Sequence, residues 1–324
     1  MSPALRDTNL SFPFPAGNEH LHNVLERMIC GDRIPHAIAF CGQQGCGKFT
    51  LAVCFAKMML CHGLPENERI RIAHLIDEQI HPDVMLYQKN DNGIIPVDSI
   101  RDLGRDIYRS PNEGNIKVYL IRNAQDMNEQ AQNALLKLIE EPPQGVVFIL
   151  TCDTPGNLLP TIQSRICAYY LAPVSKKELL QIFEDRQIQT DKLERAYALF
   201  GGNVGQCLAY CGQENPQIEL AAKVLAYISL DRPADALNVF LKVKSREELQ
   251  QLLQNVRLCY AAAVRNPRLF LDINVSRLNA QGLDHSIAAS VAYLQKNANL
   301  NLCALQTSAD LFYESRTSIY SKRK

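Results

Sequence analysis

A chain of 324 residues, 47% of them hydrophobic, can bury a sizeable core and build more than one domain. Lys plus Arg and Asp plus Glu number 34 each, for a net charge of zero, so no bulk positive field draws in nucleic acid and any DNA contact must come from a local basic face. No apolar run approaches the ~20 residues that span a bilayer, so the composition offers no membrane-spanning helix.

The first structural signal is Ala37–Cys41, a short apolar run that reads as a buried strand. It leads into Gly42-Gln43-Gln44-Gly45-Cys46-Gly47-Lys48, and a helical period follows. Strand, glycine loop and helix in that order are the setting of a phosphate-binding loop. Gly42, Gly45 and Gly47 let backbone N–H groups turn inward as an anion nest, the helix N-terminus adds its dipole, and Lys48 supplies a positive charge. The next position departs from the pattern. Phe49 stands where a hydroxyl would hold Mg²⁺, and Thr50 is about 100° further round the helix.

Val84–Tyr87 reads as a second buried strand. Beyond it, Arg101, Arg105 and Arg109 interleave with Asp98, Asp102 and Asp106. That spacing predicts local ion pairs on a solvated helix, and it neutralises what would otherwise be a basic stripe. The third strand, Lys117–Ile121, runs into Arg122-Asn123. An ATPase needs an acidic pair there, one carboxylate for Mg²⁺ and its neighbour to polarise the attacking water. Arginine cannot bind the metal and asparagine cannot take the proton, so no hydrolysis by this chain is expected.

Glu129–Glu141 places Ala131, Ala134, Leu135, Leu138 and Ile139 on one helical face. Asp126 with Glu129 is expected to form its capping box, and Pro142-Pro143 to end it. Val146–Thr151 is the fourth strand; Tyr169-Tyr170 ends a strand-like segment and is expected in the core. His36, just before the first strand, is compatible with an approach to a nucleotide base or with simple packing. Ser175 and Glu178 cap a further helix, and no strand is expected after it. Breaks at Gly201-Gly202-Asn203 and Gly212–Pro216 divide this helical remainder. The expected fold is α/β, a P-loop domain with a parallel doubly wound sheet over residues 1–173, followed by small helical (174–212) and all-helical (213–324) domains. The cysteines, eleven without a C-x-x-C pair, fit a reducing cytoplasm. The opening Met1-Ser2-Pro3-Ala4-Leu5-Arg6-Asp7 carries no signal-peptide pattern.

Four segments occur in an order that resembles the AAA+ clamp-loader subunits of bacterial DNA polymerase III. They are Phe40–Ala52, His81-Pro82-Asp83-Val84, Asn128–Lys137 through Glu140-Glu141-Pro142-Pro143, and Leu158-Leu159-Pro160-Thr161-Ile162-Gln163-Ser164-Arg165. The likeness is dense over residues 17–173 and thins through the helical remainder, where Asn297-Ala298-Asn299 to Leu302 resembles the collar ending. Retained motifs with lost ATPase residues look most like the delta-prime branch. The resemblance implies a helical lid at 174–212 and an oligomerising collar at 213–324. It implies gamma/tau-like ATPase and delta-like subunits as partners, with the sliding clamp and primed DNA reached through the complex. It also implies that Arg165, with Ser164, projects into a neighbour's ATP site as a trans arginine finger. A guanidinium suits that role, being always charged and matched to phosphate oxygens. Ile166 stands where the family prefers cysteine.

The second-sensor arginine of the family is missing, since the helix after Gly202-Asn203-Val204 carries Gly205-Gln206. Relatives commonly hold zinc between the loop helix and His81; here only Cys61 remains, with His62 and His74, and tetrahedral zinc wants four closely spaced ligands. No zinc is expected, and Cys207 and Cys211 are expected in the core. No cofactor is required by this reading, although nucleotide without Mg²⁺ remains compatible with Gly42–Lys48. Two rivals stand beside a non-hydrolysing subunit: an active ATPase motor of the same loader, and a stand-alone nucleotide sensor.

Overall fold

The computed structural model describes residues 14, 17–31, 33–184, 188–213, 215–295 and 299–315. The opening heptapeptide, the basic tail Ser321-Lys322-Arg323-Lys324 and Asn297-Ala298 lie outside them. Two compact units result. One holds the chain up to Ile182 together with Gly202–Gly205; the other holds Phe183–Gly201 and the chain from Gln206 on.

The first unit is built on a parallel five-stranded sheet. Its strands are β1 (Ala37–Cys41), β2 (Val84–Tyr87), β3 (Lys117–Ile121), β4 (Val146–Cys152) and β5 (Cys167–Tyr170), in the spatial order β2-β3-β4-β1-β5. Every residue of β1, β3 and β4 is buried, which is why these strands read as unbroken apolar runs. Alternate residues feed opposite faces. Ile38, Phe40, Val118, Leu120, Val147 and Ile149 pack with α1 (Glu19–Cys30), α2 (Lys48–Leu60) and α3 (Glu66–Asp77). Ala39, Cys41, Tyr119, Ile121, Phe148 and Leu150 pack with α4 (Val97–Asp106), α5 (Glu129–Glu140) and α6 (Pro160–Gln163) on the other.

Three local expectations change. The expected Asp126–Glu129 capping box is not what starts α5: Asp126 ends a 3-10 turn, and Asn128 is the N-cap, its side chain accepting from the Ala131 N–H at 2.9 Å. The tyrosine pair splits because β5 is an edge strand. Tyr169 packs against Phe40, while Tyr170 is 67% exposed. His36 is exposed at the start of β1, the end of the strand opposite the phosphate loop, so it neither packs nor approaches a base there. The Ser175–Glu178 box does open α7 (Lys176–Phe183), with Ser175 N–H donating to Glu178 Oε2 at 2.7 Å and Glu178 N–H to Ser175 Oγ at 3.3 Å.

The His81-Pro82-Asp83-Val84 segment anchors a distant loop. The buried Asp83 carboxylate accepts from the backbone N–H groups of Asn112 and Glu113 at 2.7 and 2.8 Å and from Asn112 Nδ2 at 3.0 Å. The arginine–aspartate interleaving gives exposed pairs on α4, Arg101 with Asp98 and Arg105 with Asp102, both at 2.8 Å. Asp106 keeps its expected pair with Arg109, at 3.8 Å, and has a second role. It turns inward to the buried Lys117 Nζ at 2.9 Å and to the Tyr119 hydroxyl at 2.9 Å.

The second unit is helical throughout its described residues: α8 (Thr190–Phe200), α9 (Val204–Gly212), α10 (Pro216–Ser229), α11 (Pro233–Phe240), α12 (Arg246–Arg265), α13 (Ala280–Gln295) and α14 (Leu300–Glu314). Ser245 caps α12 through the Glu248 N–H at 3.1 Å, and Asn299 caps α14 through the Asn301 N–H at 2.9 Å. Cys207 and Cys211 are buried.

Candidate functional site

The crossovers after β1 and β4 leave towards opposite faces of the sheet, α2 on one and α6 on the other. In open α/β sheets, that reversal at the carboxyl ends of neighbouring strands makes the ligand crevice. The phosphate loop occupies it. Gly42 N–H donates to Cys152 O at 3.2 Å, which ties the loop's first residue to the end of β4. Gly45 and Gly47 take φ of 89° and 91°, a left-handed backbone that L side chains rarely adopt. The N–H groups of Gly45 and Gly47 have no acceptor among the described residues, as a phosphate nest requires.

Lys48, the expected phosphate ligand, is turned to internal partners. Its ammonium donates to Gly42 O at 2.8 Å and to Asp153 Oδ1 at 2.6 Å, and the residue is 6% exposed. Asp153 directly follows β4 and belongs to no motif, so sequence reasoning passed over it. The signal available was its position at a strand's carboxyl end.

Phe49 and Arg122, two positions at which the sequence departs from the ATPase pattern, touch one another. The Arg122 guanidinium lies over the Phe49 ring, 4.6 Å from its centroid. Arg122 N–H donates to Tyr87 O at 2.8 Å, and its Nη1 reaches Gln88 Oε1 at 3.4 Å. Phe49 is half-buried beside a cavity of about 240 Å³ lined by Val53, Ile76, Leu86 and Leu120 and by the Lys57–Asp77 ion pair. Asn123 follows in the left-handed conformation, φ 53°, with its N–H donating to Thr151 Oγ1 at 2.8 Å. This corner of the site thus holds an aromatic ring under a cation.

The segment after Gly201 closes on the loop. Asn203 Nδ2 donates to Gln44 O at 2.6 Å and Gly205 N–H to Gly45 O at 2.9 Å. A Cβ on Gly205 would stand 2.8 Å from Gly45 O and 3.0 Å from Gly45 Cα. The glycine at 205 is therefore a seat for the loop backbone.

Arg165 lies on the turn after α6, away from this crevice. Its Nη1 donates to Thr161 O and to Ser164 Oγ, both at 3.0 Å, and its Nη2 meets Glu140 Oε1 at 2.8 Å. Ser164 Oγ also donates to Thr161 O at 3.0 Å. Ile166 packs on the core face of α4 and α5. Cys61 donates to Arg69 O at 3.7 Å, and burial pushes its thiol up to about 11.

The family profile described as "DNA polymerase III, delta subunit" matches residues 17–175, the stretch that carries the loop, the Glu-Glu-Pro-Pro helix and Arg165. Over this stretch the chain is similar to DNA polymerase III clamp-loader subunits. It is 32% identical over 193 residues to DNA polymerase III subunit delta' of Bacillus subtilis, covering 58% of this chain and 56% of the relative. The delta' subunit of Pseudomonas aeruginosa is 33% identical over 183 residues, 53% of this chain and 55% of its own length. The tau subunit of Bacillus subtilis is 29% identical over 184 residues, 54% of this chain and 32% of the relative. The chain spans about half the length of the delta' relatives it matches.

Proposed function

We propose that this chain is a non-hydrolysing, delta-prime-like subunit of a DNA polymerase III clamp loader. It would work by holding its place in a hetero-oligomeric ring and by offering Arg165 to an adjacent gamma/tau-like ATPase. Residues 174–212 would act as the lid and 213–324 as the collar, beside a delta-like subunit, with the sliding clamp and primed DNA met through the complex. The observation that supports this best is the stacked Phe49–Arg122 pair. It puts a hydrophobic ring and a positive charge where hydrolysis needs magnesium and its ligands.

The rival reading, an active motor of the same loader, draws on the near-equal identity to a tau subunit and on the retained loop glycines and Lys48. The chemistry at 49, 122 and 123 weighs against it. Steady-state ATP turnover by the purified chain separates the two: none is expected with magnesium present, and turnover at the ordinary level of a clamp-loader motor would overturn the proposal. No zinc or magnesium is part of this reading.

A further inference from the structure

The phosphate loop of this chain has an anion of its own. Lys48 is almost fully buried, and its ammonium is shared between Gly42 O at 2.8 Å and Asp153 Oδ1 at 2.6 Å. The Asp153 side chain remains 47% exposed, so the carboxylate is open to solvent while it holds the lysine. Gly42 is itself bonded to Cys152, which places loop, lysine and carboxylate in one connected unit at the ends of β1 and β4.

A phosphate oxygen seated in the nest would have to take the same ammonium. It would then sit within a few ångströms of a carboxylate, and like charges at that range repel strongly at the low effective dielectric of a crevice. The N–H groups of Gly45 and Gly47 still point to an anion, while the lysine that would complete the site is already neutralised.

We propose that Asp153 is the specificity residue of this crevice, a built-in counter-anion that excludes polyphosphates from a loop otherwise able to cradle them without metal. The idea rests on reading Gly42–Lys48 as a surviving phosphate cradle. Removing the charge at 153 frees Lys48 for a di- or triphosphate, and Arg122 adds no metal requirement because it is itself a cation.

The test is calorimetric titration of the full chain with ADP and with inorganic pyrophosphate, in EDTA. Compared are the wild type, Asp153→Asn, Asp153→Ser and the double variant Lys48→Ala with Asp153→Asn, each checked for a cooperative melting transition above the titration temperature. The expected result is a Kd lower by about tenfold or more in both single variants, with the gain lost in the double variant. Equal affinity in wild type and single variants overturns the proposal, as does the absence of binding by all of them, or a gain that survives without Lys48. Two variants of different size keep the test open should one fold poorly. Magnesium-dependent ATP turnover by the wild type, measured on the same samples, would refute the non-hydrolysing assignment and is read separately from these affinities.

Discussion

Arg165 Nη2 and Glu140 Oε1 meet at 2.8 Å, with the two side chains 39% and 40% exposed. Glu140 is the last residue of α5 and Arg165 follows α6, so the pair holds the guanidinium over the surface beside the Thr161 carbonyl. A pair this exposed contributes at most about 1 kcal/mol. A phosphate offers a stronger, bidentate partner, so the arginine can exchange one for the other.

Substituting Arg165 with alanine should leave the melting temperature of the chain nearly unchanged and abolish activity at one neighbouring site. Arginine fingers contribute on the order of 10³-fold or more to turnover. The measurement is steady-state ATPase of the reconstituted complex. Arg165→Lys should fail to rescue, because an ammonium lacks the planar fork. An unchanged rate in Arg165→Ala would remove the finger from the account.

The Phe49–Arg122 contact gives a second prediction, on stability. An exposed cation such as Arg122 over an aromatic face contributes about 0.5–1 kcal/mol. Urea unfolding of Phe49→Ala, Arg122→Ala and the double variant should return a coupling of that size. Phe49→Thr alone should remain without ATP turnover, since a hydroxyl at 49 brings back one metal ligand while the end of β3 still presents Arg122 and Asn123. Additive single-variant effects would show that the ring and the cation are neighbours without interaction.

These assignments mark how far the sequence could be read. The strands were legible because β1, β3 and β4 are buried on both faces and leave continuous apolar runs. The loop was legible because its glycines are dictated by backbone geometry, and Phe49 and Arg122 because each falsifies a pattern with a known physical reason. Asp153, Asn203 and Glu140 were not, because their roles arise from contacts across 105, 159 and 25 residues of chain. Tertiary approach at that separation leaves no periodic trace. Asp106 was legible only in part for a related reason: three-residue spacing gave its surface pair with Arg109, but not the Lys117 and Tyr119 that the fold brings beneath it.

That inward turn makes Asp106 a structural residue. Lys117 is 2% exposed, and Asp106 is its carboxylate partner. Asp106→Ala should cost about 3 kcal/mol, because it strands a buried ammonium, whereas Asp102→Ala on the exposed face should cost under about 0.5 kcal/mol. Burial alone would raise the Asp106 carboxyl, but hydrogen bonds from Lys117 and Tyr119 outweigh it and hold the group below the usual carboxylate range. A carboxyl lowered in the fold stabilises above its unfolded pKa of ~3.9. That contribution is lost as pH falls further, and Asp106→Ala should flatten the acid limb of the stability profile below about pH 4.

His81 predicts a separate loss at milder acidity. Its ring is buried, with Nδ1 accepting from the Asp83 N–H at 3.1 Å, so the neutral ring carries its proton on Nε2. Nε2 has no hydrogen-bond partner among the described residues, the Glu113 carboxylate standing 3.9 Å away. Burial lowers the His81 pKa against the opposing pull of Glu113 and Asp83. A histidine lowered in the fold is neutral in both states above about pH 6.5; below that the unfolded chain takes up a proton that the native one refuses. Stability should therefore fall as pH drops from about 6.5 towards 5, by no more than ~1.4 kcal/mol per unit. His285 works in the opposite sense, since its hydrogen bond to Glu314 raises it, so the decisive quantity is the difference between wild type and His81→Gln. Urea unfolding at pH 7.0, 6.0 and 5.0 should show the two curves converging as the medium is acidified. Curves that stay parallel would mean that His81 accepts its proton in the native state as readily as in the unfolded chain.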